Sequence, residues 1–193
     1  MKLIKIKNII LNPIKDNSEL AEAIPVFAAK QGINIIYPKN KDILTTYPNG
    51  YVQIFQTQNN KIDSNESSLV TLFTQNDKNI LFTGDAEIET IEKIKLPNKI
   101  DVLKIGHHGA DNTINKSFLD KKQVKASVLS TGPSAYNHPT PGTLKEIQGS
   151  QSILLRTDTD NAIKIVISDY TDKIYRYKQK KWHLISKFWY FNF

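Results

Sequence analysis

The sequence predicts one α+β domain, a sheet sandwich covered by helices. Short strand-like runs crowd the first half closely enough to pair as antiparallel neighbours, whereas the second half repeats a strand, loop, helix rhythm. No linker, internal repeat or low-complexity stretch divides the 193 residues. A chain of this length buries a sizeable core, and without cysteine no disulfide holds it.

Residues 3–11 open the fold as a half-buried strand, because isoleucine and leucine interleave with lysine. A helix is expected within 18–31, with Gly32 as its C-cap and Pro25 either opening its regular part or kinking it. Residues 33–37 read as another short strand. The turn Pro48-Asn49-Gly50 then introduces strands over 51–56, 68–74 and 79–83. In the second half, strands over 101–105 and 126–130 alternate with helices near 115–119 and 143–148. Each loop there follows the carboxyl end of a strand, where α/β folds gather ligands. Strands over 152–156, 162–167 and 173–177 complete the domain.

Lysines interrupt the amino terminus, and its apolar run Ile9-Ile10-Leu11 is too short for a signal peptide. No stretch approaches the roughly 18 apolar residues of a membrane span, so the chain by itself is expected to be soluble. The formal net charge of +7 points to an acidic partner such as nucleic acid or anionic lipid, although AT-rich codon usage produces the same lysine excess.

Three stretches place chemistry just after an apolar strand: Gly84-Asp85, Gly106-His107-His108-Gly109 and Asn137-His138-Pro139. Gly84 permits a sharp turn that leaves Asp85 facing a cleft, and such a pair also serves as a plain turn. Two imidazoles bordered by glycine suit metal binding or acid/base work better than a core. In an extended segment His107 and His108 would point to opposite sides, one toward a metal and the other orienting it or the substrate. His138 fits the rim of a cleft or a surface loop, and His183 a structural or exposed position. Carboxylates and imidazoles with open coordination positions suit zinc or manganese hydrolysis, yet a two-metal site needs more ligands than these.

The order of motifs resembles the metallo-β-lactamase-like domain of ComEC-type competence proteins. The resemblance rests on Asn65-Glu66-Ser67-Ser68-Leu69-Val70, Ile80-Leu81-Phe82-Thr83-Gly84-Asp85-Ala86-Glu87, Asp101-Val102-Leu103-Lys104-Ile105-Gly106-His107-His108-Gly109, Ser130-Thr131-Gly132 with Tyr136-Asn137-His138-Pro139, and Leu155-Arg156-Thr157-Asp158. It implies an αββα sandwich and a phosphodiesterase or nuclease using zinc or manganese. In it Asp85 corresponds to the metal-bridging aspartate, and the His107-His108 loop supplies a late ligand or catalytic imidazole. His138 corresponds to a proton-handling group on the substrate side, while Asn65 and Arg156 support the site or the substrate.

The sequence departs from that pattern at two places. The early His-x-His-x-Asp-His motif is absent, no histidine precedes His107, and Ala110-Asp111 stands where a serine usually follows the glycine. The expectation is a partial sandwich domain: residues 1–64 finish its first half, 65–170 carry the motifs, and 171–193 form a basic aromatic tail. Its partners would be DNA, single-stranded or duplex, and an upstream membrane-channel chain carrying the absent motif, through which it would associate with the membrane. Two other functions remain open: a non-catalytic or nucleic-acid-binding module, and a single-metal hydrolase of lipid or nucleotide phosphoesters. The tail itself reads either as a phosphate-tracking, base-stacking surface or as a final strand packed with its lysines outward.

Overall fold

The computed structural model describes residues 4–13, 19–57, 67–132, 136–168 and 171–189. Among them twelve strands and five α-helices form three sheets, and the domain is α+β as expected.

The main sheet has seven strands in sequential order: β3 (Ile43–Tyr47), β4 (Gly50–Gln56), β5 (Leu69–Gln75), β6 (Lys78–Phe82), β7 (Val102–Lys104), β8 (Ala126–Leu129) and β9 (Ile153–Arg156). From β3 to β6 the pairing is antiparallel, and from β6 to β9 it is parallel. The connections explain the change. The tight turns after β3 and β5 allow only hairpins, whereas helices α2 (Ile88–Glu92), α3 (Lys116–Lys121) and α4 (Pro141–Gln148) fill the long crossovers that parallel strands require.

Those helices cover one face of the sheet. Leu81, Leu103 and Leu129 join Phe118, Leu119 and Ile147 in the main core cluster. Each such side chain contributes about 1.5–3 kcal/mol by leaving water. Against the β8–β9 end of the other face lies a second sheet, of β10 (Ile163–Val166), β11 (Thr171–Lys178) and β12 (Lys181–Trp189), where Ile174 buries against Ala126 and Leu155. Toward β6 that face is more open, with Phe82 44% exposed.

The third sheet is a parallel pair, β1 (Asn8–Ile10) and β2 (Asn34–Ile36), joined by α1 (Glu19–Gln31). The expected strand over 3–11 shrinks to three residues, because the parallel partner β2 is itself only three long and leaves Ile4 and Ile6 exposed. Pro25 lies inside α1, which continues past it, so it does not start the regular helix. Leu20, Val26 and Phe27 on α1 are all exposed.

The strands expected over 51–56, 68–74 and 79–83 form and are antiparallel neighbours. Three elements were not expected: β3, α2 and the short helix α5 (Thr157–Asp160); the long β12 follows the final-strand reading of the tail. Among the described residues no helix is long and apolar enough to cross a membrane.

Candidate active site

The candidate residues gather on three loops at the carboxyl ends of β6, β7 and β8. Gly84 leaves β6 with φ +60°, and a Cβ there would lie 2.7 Å from the Ser68 Cβ, so only glycine fits. The turn is fixed by the Asp85 N–H, which donates to Ser68 Oγ at 2.9 Å. Gly106, after β7, is equally confined: its Cβ would meet the Gly84 carbonyl oxygen at 2.6 Å. The two loops therefore touch backbone to backbone.

His107, His108 and Gly109 follow as a left-handed turn, with φ of 46°, 54° and 85°. Left-handed backbone costs a non-glycine residue about 1–2 kcal/mol. Hydrogen bonds offset it here: the His107 N–H donates to Asp85 Oδ1 at 3.1 Å, and the Ala110 N–H to the His107 carbonyl at 2.9 Å. The loop is thus a turn and not the extended segment expected. Its two imidazoles nevertheless part ways. The half-buried His107 ring lies edge-on to that of His138, centroids 5.5 Å apart, while the exposed His108 places Nδ1 2.6 Å from the Ser130 carbonyl. A carbonyl only accepts, so Nδ1 of His108 is the donor in this contact.

His138 sits after β8 on a cis peptide to Pro139 and stacks at 6.1 Å on Tyr136. Its Nδ1 is buried and meets no hydrogen-bond partner among the described residues. Its backbone is braced from two sides. Thr131 Oγ1 donates to the His138 carbonyl at 3.0 Å, and Thr157 at the end of β9 holds Thr131 in turn, accepting from its N–H at 2.8 Å and donating to its carbonyl. On the other side the Thr140 N–H donates to the Gly109 carbonyl at 3.0 Å, and Thr143 Oγ1 donates to the Ala110 carbonyl at 2.8 Å. Residues from β6, β7, β8, β9 and α4 thus form one connected edge.

Asp85, His107 and His138 are brought to this edge, and His108 flanks them. The Arg156 guanidinium is held by Asp158 through two hydrogen bonds of 3.0 and 2.6 Å, which raise the Arg156 pKa and lower that of Asp158. Asn65 lies outside the described residues.

Sequence reasoning passed over Lys104. Burial pushes its ammonium below the usual lysine range, and the Asp85 carboxylate partly restores it. A lysine inside Val102-Leu103-Lys104-Ile105, a strand that a parallel sheet would fill with apolar residues, was the available signal.

Among the described residues no group of three or more histidine, aspartate or glutamate side chains could hold a metal ion.

No family model matches the chain. It is 27% identical over 180 residues to ComE operon protein 3 of Bacillus subtilis (strain 168), across 91% of this chain and 22% of that protein. Identity to Competence protein ComA of Neisseria gonorrhoeae is 29% over 113 residues, across 56% of this chain and 16% of that one. Recombination protein 2 of Haemophilus influenzae is 22% identical over 166 residues, across 78% of this chain and 21% of its own. The chain spans about a fifth of the length of the curated relatives it matches. Over most of its residues, then, this chain is similar to ComE operon protein 3, and over 56% of them to a protein named as a competence protein, in agreement with the ComEC-type likeness of its motifs.

Proposed function

We propose that the chain carries the late motifs of a metallo-β-lactamase-like αββα hydrolase domain that acts on DNA phosphodiesters during uptake. One observation supports this reading above the others: Asp85 receives the His107 N–H at 3.1 Å, and His138 stands at the same edge with an unpartnered buried Nδ1. Asp85 and either His107 or His108 would hold zinc or manganese, together with ligands from a membrane-channel chain that carries the His-x-His-x-Asp-His motif. The metal would supply an activated water and charge at the phosphate. His138 would pass a proton through Nδ1 on the substrate side. The exposed Phe82 on β6 and the apolar side chains of α1 fit burial against such a chain.

The test is cleavage of labelled single-stranded and duplex DNA with manganese or zinc, by the chain alone and mixed with the channel chain. Cleavage is expected in the mixture only, and Asp85→Ala should abolish it. A mixture that leaves DNA intact, or one in which Asp85→Ala is as active as the parent, overturns the proposal. A second reading, a non-catalytic nucleic-acid-handling module of the same fold, is favoured by the absence of a three-ligand group among the described residues. It predicts an inactive mixture with DNA binding retained.

A further inference from the structure

Two concavities on the protein differ in how their charge is balanced. The larger, about 530 Å³ at the amino ends of β7, β8 and β9, carries Lys99 and Lys125, whose ammoniums stand 3.7 and 2.8 Å from the Asp101 carboxylate. The smaller, about 330 Å³, lies between the carboxyl end of β4 and α2 and is lined by Lys41, Lys93 and Lys95. Among the described residues no aspartate or glutamate lines it, and none of its three ammoniums stands within ion-pairing distance of a carboxylate. The acids beside them in sequence are turned elsewhere: Asp42 accepts the Lys39 N–H at 2.7 Å, and Glu92 accepts from Asn115 Nδ2 at 3.4 Å. Three like charges around one recess raise its potential for anions.

The recess is built from both walls. Phe55, Thr57 and Thr90 line it and are buried, whereas the lysines are exposed. Lys41 has left-handed backbone, φ 71°, and its N–H donates to the Ile54 carbonyl at 2.8 Å. Gln56 fastens the same turn to β4, since its N–H donates to Asn40 Oδ1 at 3.2 Å and its Nε2 to the Pro38 carbonyl at 2.5 Å.

The recess also adjoins the candidate site. Gln56 pairs with Leu69 and Thr71 with Phe82, so β4 and β6 end on the same edge of the sheet. Ser68 joins the two places: its carbonyl accepts from Thr57 Oγ1 at 3.0 Å, and its hydroxyl accepts the Asp85 N–H. On the other wall, α2 begins at Ile88, just after Asp85, and ends at the recess.

We propose that Lys41, Lys93 and Lys95 hold a phosphodiester of the same nucleic-acid strand whose reacting linkage lies at the Asp85 edge. Lysine suits this task as a compact cation with three rotatable donors, which neutralises a phosphate without reading a base. The volume is at the small end of ligand sites and matches one sugar-phosphate unit better than a folded partner. The inference rests on the nucleic-acid reading of the Asp85 edge and adds binding there, not chemistry.

The test uses the full chain in EDTA, so that no cleavage contributes. Affinity for a labelled oligothymidylate is measured across salt concentrations for the parent, for Lys41→Gln/Lys93→Gln/Lys95→Gln, and for Lys30→Gln/Lys121→Gln/Lys145→Gln. The last variant removes the same charge from exposed positions on α1, α3 and α4. The recess variant should bind roughly tenfold more weakly, with a log–log salt slope smaller by about 2, and the control should lose far less. Reductive methylation read by mass spectrometry should show the strand protecting Lys41, Lys93 and Lys95 in the parent ahead of Lys30, Lys121 and Lys145. Equal losses in the two variants, equal protection of the two sets, or a parent that binds no oligonucleotide overturns the proposal. So does equal protection by inorganic phosphate at the same phosphate concentration, which would mark an isolated anion site. Loss of binding to phosphatidylglycerol vesicles in the recess variant, with oligonucleotide binding intact, would assign the recess to lipid and overturn it too. Absent manganese-dependent cleavage with the lysine protection intact counts against the hydrolase reading alone.

Discussion

The two ends of the parallel strands β6, β7 and β8 differ in how completely their polar groups are satisfied. At the amino ends, Asp101 is 2% exposed and fully engaged: Lys125 Nζ stands 2.8 Å and Lys99 Nζ 3.7 Å from Oδ1, and the Asn79 N–H donates to Oδ2 at 2.9 Å. At the carboxyl ends the backbone runs left-handed through His107 to Gly109, and His138 Nδ1 is left over. Both arrangements have an energetic cost, one in desolvated charge and the other in strain and an unmet hydrogen bond. Only the first returns it as stability within the chain, by tying three strands together.

Substitutions can break or sharpen that contrast. Asp101→Ala should have the largest effect, about 3 kcal/mol, since it strands two cations and a backbone donor. By urea unfolding this would appear as a lower midpoint, and by heating as a Tm lower by roughly 6–12 °C. The same group governs acid sensitivity. Burial alone would raise the Asp101 pKa, but the Lys125 hydrogen bond, the Asn79 N–H and the lysine charges hold it below the ordinary value. A depressed carboxylate adds stability above its unfolded pKa and loses it as pH falls through the folded one. The chain should therefore weaken from about pH 4 downward, and Asp101→Ala should remove that part of the acid dependence.

Gly109→Ala comes next, at about 2 kcal/mol, because the new Cβ would lie at positive φ and 2.8 Å from both Leu129 and Pro139. Thermal unfolding measures it. Thr157→Val should cost about 1.5 kcal/mol by freeing the Thr131 N–H and carbonyl, and the amide signals of the loop carrying Thr131 and His138 should broaden. The smallest effect belongs to His138→Leu: with its buried Nδ1 unpartnered, stability should change by no more than about 0.5 kcal/mol. A loss as large as that of Asp101→Ala would show that His138 belongs to the structural end.

The two ends also differed in how far they could be read beforehand. Pairing of β4, β5 and β6 was legible because Pro48-Asn49-Gly50 and the short spacings leave hairpins as the available connection. The five residues of α2 are too few for a helical period to register, and β3 carries little apolar alternation before its turn. Asp85, His107, His108 and His138 could be named from residue type and neighbouring glycines. Their arrangement could not, because it depends on a left-handed turn at two non-glycine residues and on threonine bridges from β9 and α4. The basic aromatic tail was legible as composition. Which of its side chains share a face became visible only through the β10–β11–β12 register and its bulge.

The central claim is that the carboxyl edge of β6 to β8 is one part of a metal-dependent site. Imidazole NMR of the labelled chain mixed with the channel chain, during a manganese titration, tests it most directly, since the four histidines include His183, which lies on β12 and serves as an internal control. Selective broadening of His107 or His108, with His138, ahead of His183, lost in Asp85→Asn, is the predicted result. Broadening of His183 at the same manganese concentration, or selectivity that survives Asp85→Asn, would contradict the account.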